Sequence, residues 1–138
     1  MFDRCLYFNT AALARKLDKE WAIAFEPFHL TVPQAFMLRA VLERPGMLLR
    51  ELAEVMAVSR PTVTRALDGL QAKNLIFRHG LERDGREFQV HPTEVAVRMK
   101  DALHAAAGTV TTRLKKLMGA REFIDTVAHV KAVRAALS

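Results

Sequence analysis

The chain has 138 residues, 51% of them apolar, and its 21 basic and 15 acidic groups give a net charge of +6. This length and composition suit one folded domain and exclude a chain that is mainly disordered. Charges interrupt every apolar run before the roughly 18 residues that a membrane helix needs.

From Phe2 to Phe28 the residues Phe2, Leu6, Leu13, Leu17, Trp21, Phe25 and Phe28 recur at helical spacing, with polar Asn9 and Thr10 interrupting the stripe. Pro27 should end or bend this helix. Thr31-Val32-Pro33-Gln34 then reads as a capping box with proline in the first turn. Phe36, Met37, Ala40 and Val41 would be the buried face of the second helix, and Pro45-Gly46 would stop it. A third helix carries Leu49, Leu52, Ala53 and Met56 at i, i+3, i+4 and i+7. Ala57-Val58 makes a short turn, Ser59 is a good N-cap, and Val58 and Val63 are placed for a hydrophobic staple. The fourth helix buries Val63, Ala66, Leu67 and Leu70, and Asn74 suits a left-handed C′ position.

Two β-like runs follow, Ile76–His79 and Arg86–His91, separated by a polar loop from Gly80 to Gly85. Pro92-Thr93-Glu94 opens a long helix whose seam is expected at Val95, Met99, Leu103, Ala106, Val110, Leu114 and Leu117. Gly119 breaks it, and a last helix carries Phe123, Ile124, Val127, Val130, Val133 and Leu137.

The expected fold is mainly α with a small β-hairpin wing: a winged helix-turn-helix plus N- and C-terminal helices. This arrangement points to duplex DNA, because such a helix enters the major groove while its partner braces it against the backbone. The fourth helix presents Ser59, Arg60, Thr62, Thr64 and Arg65 away from its buried stripe, with no acid before Asp68. Arginine can fork onto guanine, and threonine can donate to a base or meet a thymine methyl. The wing supplies Arg78, Arg83 and Arg86, suited to a minor groove. Net charge does not carry this reading. Residues 93–138 hold eight basic and four acidic groups, +4 of the +6, whereas residues 46–92 hold seven and six. DNA binding is inferred from where six cations sit: Arg60, Arg65, Lys73, Arg78, Arg83 and Arg86.

Leu48 to His91 resembles the MarR family of bacterial transcription regulators. The resemblance rests on Leu52-Ala53-Glu54, on Ser59-Arg60-Pro61-Thr62-Val63-Thr64-Arg65, on Leu70-Gln71-Ala72-Lys73-Asn74-Leu75-Ile76, and on Asp84-Gly85-Arg86 before Pro92-Thr93. Asn74 and Ala96 stand where the family commonly has glycine. The resemblance implies that Arg86 reaches a minor groove while Asp84 holds the wing in shape. It also implies one domain over 1–138: an N-terminal dimerisation helix in 1–30, the winged helix-turn-helix in 31–92, and C-terminal dimerisation helices in 93–138. The residues ask for a partner independently, since the long seam and its flanking helices exceed what a compact winged module needs. A homodimer would present two recognition helices to a palindromic operator.

The resulting expectation is a sequence-specific regulator, a repressor released from DNA by a small aromatic or apolar effector. Trp21, Phe25 and Phe36 would line the effector site, with Asn9 or Arg39 as a polar anchor. Cys5, followed by Tyr7, resembles the N-terminal cysteine of the family's hydroperoxide-sensing branch, which makes a thiol-based repressor an alternative. A winged-helix module that binds protein and never meets DNA is the other. The five histidines form no zinc-type spacing with the lone cysteine, no nucleophile elbow or phosphate loop occurs, and neither enzyme activity nor a cofactor is expected. Met1-Phe2-Asp3-Arg4 lacks an export signal's layout and Cys5 has no second cysteine to pair with, so a cytoplasmic location is expected.

Overall fold

The computed structural model describes residues 1–80 and 88–137. Helix α1 runs over Leu6–Phe25. Its polar interruption turns back on its own backbone: Asn9 Nδ2 donates to Cys5 O at 2.8 Å, and Thr10 Oγ1 donates to Leu6 O at 2.7 Å. A 3-10 turn at Glu26–Phe28 carries Pro27, and His29 adopts a left-handed conformation. Helix α2, Val32–Glu43, begins with the expected box: Thr31 Oγ1 accepts from Gln34 N, and Gln34 Oε1 accepts from Thr31 N.

Helix α2 is the central one and packs against α1 and the helices that follow. Its buried residues are Ala35, Met37, Leu38, Val41 and Leu42. The sequence expectation of Phe36, Met37, Ala40 and Val41 is half correct, because Phe36 and Ala40 are only partly buried. A helix enclosed on several sides loses the one-sided periodicity that marks a surface helix.

Strand β1, Met47–Leu48, precedes α3, Leu49–Met56, and α4, Arg60–Ala72. Strands β2, Ile76–His79, and β3, Gln89–Pro92, complete an antiparallel sheet in the order β1-β3-β2. The wing is therefore a three-stranded sheet and not a bare hairpin. Two residues are too few for β1 to show an alternation in sequence. Strand β3 also lies later than the expected Arg86–His91: Pro92 pairs with Ile76, at the strand end where a missing N–H is tolerated.

Helix α5 spans Glu94–Met118, capped by Thr93, whose Oγ1 accepts from Ala96 N. Its inward residues are Ala96, Leu103, Ala107 and Val110, with Met99 partly buried against the core. The expected seam is therefore shifted at two positions and ends before Leu117, which is exposed. Val95 is exposed while Ala96 is buried, and Ala107 replaces Ala106 as the buried alanine. Helix packing selects the side that lets the backbones approach, and there an alanine suits better than a valine. Gly119, at φ +90, ends α5 and begins α6, Ala120–Ala136. One cluster joins the elements before α6, with Phe25, Leu38, Leu52, Leu67, Leu70, Ile76, Val90 and Leu103 among its members. Among the described residues, no helix is long and apolar enough to cross a membrane.

Candidate nucleic-acid interface

The turn between α3 and α4 is set by one residue. Ala57 takes a left-handed conformation at φ 54, and Val58 N donates back to Ala53 O, so α3 ends within two residues. Ser59 then caps α4: its Oγ accepts from Thr62 N at 3.4 Å and lies 3.0 Å from Thr62 Oγ1. Val63 is fully buried while Val58 remains exposed.

All four expected apolar positions of α4, Val63, Ala66, Leu67 and Leu70, are buried. That fixes the helix rotation and leaves Ser59, Arg60 and Arg65 exposed on the other side. Thr62 and Thr64 are half-buried, and Thr64 Oγ1 donates to Arg60 O at 3.1 Å. No side-chain hydrogen bond or ion pair holds Arg60 or Arg65 among the described residues, so both forks are available to a ligand. Arg50, Ser59 and Arg60 edge an open hollow of about 440 Å3 beside the turn. Backbone N–H groups at the start of α4 add a partial positive charge there.

The remaining cations divide differently from the sequence expectation. Lys73 Nζ donates to Gln34 Oε1 at 2.8 Å and to His29 O, tying α4 to the start of α2. Arg78 Nη2 donates to Asp68 Oδ1 at 2.6 Å, and its guanidinium lies over the Phe88 ring. Both cations are thus committed within the protein. Arg83, Asp84 and Arg86 lie outside the described residues. Sequence reasoning missed Asp68 and Gln34 because their partners are ten and thirty-nine residues away, beyond any helical or strand period.

The candidate effector residues split into two groups. Trp21, Phe25, Phe36 and Arg39 meet where α1 and α2 face α5. The Trp21 and Phe36 rings are 6.3 Å apart, Phe25 meets Phe36 edge-on, and the Arg39 guanidinium lies 5.3 Å from the Phe36 ring centre. Arg39 Nε donates to His104 Nδ1 on α5 at 3.4 Å. Burial lowers the Arg39 pKa from the usual arginine value, and no carboxylate pairs with it among the described residues. Trp21 Nε1 is buried without an acceptor among the described residues. Phe25 itself is fully buried core. Cys5, Tyr7 and Asn9 lie apart from this cluster, exposed around the start of α1. Among the described residues, no group of three or more His, Cys, Asp or Glu is placed to hold a metal ion.

Residues 29–87 match the MarR family. An uncharacterised HTH-type transcriptional regulator of Bacillus subtilis, YybA, is 33% identical over 82 residues; the match covers 59% of this chain and 55% of that protein. The chain thus spans about half the length of that relative. A MarR-family transcriptional regulator of Listeria monocytogenes, solved with a 26-mer DNA, superimposes with a TM-score of 0.81 at 20% identity, over 96% of this chain and 88% of its own. MepR of Staphylococcus aureus, also solved with DNA, gives 0.83 at 18% identity, over 95% and 96%. At these identities the two structures establish the shared fold. Residues 29–87 of this chain are thus similar to the MarR family, and nearly the whole chain shares the fold of the two solved MarR-type regulators.

Proposed function

We propose that the protein is a homodimeric, sequence-specific DNA-binding transcription regulator, a repressor released from its operator by a small-molecule effector. The observation that carries this reading is the outer face of α4. Its four apolar residues are buried, which directs Arg60 and Arg65 outward with both arginine forks uncommitted among the described residues, and leaves Thr64 half-buried beside them. Arg60 and the capped N-terminus suit phosphates, which position the protein. Thr64 and Arg65 suit base edges, which specify the site. Arg83 and Arg86, shaped by Asp84, serve as the minor-groove contacts. The DNA complexes of the Listeria and Staphylococcus proteins support the same use of the fold here.

The second copy docks on residues 1–30 and 93–138, and residues 31–92 hold the DNA. Helix α6 buries no residue within its own chain, and Ile124, Val127, Val130 and Val133 are all exposed. With Leu13, Leu17, Leu114 and Met118, this helix edges an apolar groove of about 430 Å3. A contiguous apolar surface of this kind marks an interface. The effector is a small aromatic molecule bearing an acidic group. Trp21 and Phe36 supply its aromatic surroundings; among the described residues, Arg39 is a half-buried cation without a carboxylate and Trp21 Nε1 is a donor without an acceptor.

A salt titration tests the central claim. Duplex DNA should bind at low salt, and log K should fall linearly with log salt, with a slope of about −0.9 per phosphate neutralised. Failure to bind any duplex at low salt would instead favour a winged-helix module that binds protein.

A further inference from the structure

Arg78 sits on β2 with its side chain 28% exposed, and its guanidinium is enclosed on three sides. Nη2 donates to Asp68 Oδ1, one helical turn from the end of α4, at 2.6 Å. The Phe88 ring, immediately before β3, lies 5.1 Å from Cζ. Nε is buried with no acceptor among the described residues. An arginine serving a phosphate keeps its donors in water until the ligand arrives. This one has spent a charge-assisted bond and buried a further donor to join the wing to the recognition helix.

We propose that Asp68 and Arg78 form a brace that sets the angle between the wing and α4. Arg78 is then a positioning residue, not a phosphate contact, and Asp68 is required for DNA binding although it is an acid on the DNA-facing helix. The proposal rests on the DNA-binding reading of α4. Its physical basis is rigidity. The wing reaches the rest of the module through a short sheet, so a pair fixing β2 to α4 decides whether both elements meet the duplex in one pose. Preorganising two contact elements reduces what binding must spend on ordering them.

The sign of one substitution makes the proposal sharp. Asp68 is 61% exposed, and on charge alone an acid near the phosphate backbone opposes binding. Asp68→Asn should therefore tighten binding to any duplex if charge decides. The brace demands the opposite.

The experiment uses the full chain. Wild type, Asp68→Asn, Arg78→Lys, Arg78→Ala and the Asp68→Asn/Arg78→Ala double variant are titrated with the tightest duplex that wild type recovers from a random-sequence pool. A scrambled duplex of equal length is run beside it, both over a salt series, with thermal melts as folding controls. Asp68→Asn and Arg78→Ala should each weaken the selected duplex about tenfold, with a smaller loss on the scrambled one. The double variant should be no worse than Arg78→Ala alone, since both remove the same link. Arg78→Lys keeps the charge but loses the fork and the stacking, and should be weakened as well. Salt slopes should stay parallel to wild type.

Unchanged or tighter binding by Asp68→Asn would overturn the brace, as would wild-type affinity in Arg78→Lys. A slope for Arg78→Ala that is shallower by about one would make Arg78 a phosphate ligand and overturn it equally. These outcomes differ from failure of the underlying reading, which would appear as a wild type that binds no duplex at low salt.

Discussion

Gln34 on α2 lies against Gly69 on α4 so closely that a Cβ on residue 69 would overlap its Nε2. The same side chain completes the α2 cap through Thr31 N and accepts from Lys73 Nζ. One amide thus joins the end of the recognition helix to the start of the central helix, and Gly69 is the space that admits it. Gly69→Ala would gain about 1 kcal/mol of helix propensity but displace that amide, losing two hydrogen bonds of about 1 kcal/mol each. We expect a net destabilisation of about 1 kcal/mol by denaturant melt. In a Gln34→Ala background the same change should become stabilising. A substitution that stabilises both backgrounds equally would show that the contact is unimportant.

Arg65→Ala should discriminate base reading from phosphate binding. With a fork onto guanine, loss of the side chain costs about 1–3 kcal/mol on a selected duplex and relaxes preference at one base pair. Much less should be lost on random DNA. Equal losses on both sequences, measured by fluorescence anisotropy, would reassign Arg65 to the backbone.

The proposed dimer makes a demand on residues that an isolated subunit leaves in water. Val127 and Val130 are each about half exposed within one chain. In a monomer, Val127→Asp or Val130→Asp would be within about 0.5 kcal/mol of neutral. In a dimer built on α6, either change buries an unpaired carboxylate, and sedimentation should show the mass falling to that of one subunit. A dimer that survives both variants would place the interface elsewhere.

Helices α1 and α5 are tied by Glu20, whose two carboxylate oxygens accept from Arg113 Nη2 at 3.1 Å and Nε at 3.2 Å. The Arg113 hydrogen bonds hold the Glu20 carboxyl below the usual glutamate range and raise the guanidinium. A carboxyl depressed in the folded state contributes stability at pH values above its unfolded pKa and loses it as pH falls through the folded one. The melting difference between wild type and Glu20→Gln should therefore be steady near neutrality. It should shrink only below roughly pH 4, under the ordinary glutamate range. A difference that persists unchanged in strong acid would remove the ion pair as its cause.

Much of this protein is local and so was legible in residue order. The Thr31–Gln34 box, the Ser59 cap, the left-handed Asn74 and the buried stripe of α4 depend on neighbours three or four residues away, and each forms as expected. The turn at Ala57-Val58 falls where expected, but the left-handed conformation of Ala57, at φ 54, is not legible in sequence because alanine carries no signal for it. The buried side of α5 and the many-sided burial of α2 were misjudged for another reason. Periodicity reports that a helix has an inner face, but the neighbours choose which of two adjacent apolar residues goes inside.

The candidate site divides along the same line. Burial of Val63, Ala66, Leu67 and Leu70 was implied by spacing, and that spacing alone directs Arg60 and Arg65 outward. The fate of Lys73 and Arg78 was not, since the acceptors on Gln34 and Asp68 come from other elements. Composition and order therefore determined the helices, their caps and the cationic face of α4, because those follow from side-chain period and local hydrogen bonding. Only the tertiary structure decided which cations remain free for a ligand and which brace the protein. That depends on long-range pairs brought together by packing, and no period along the chain encodes them.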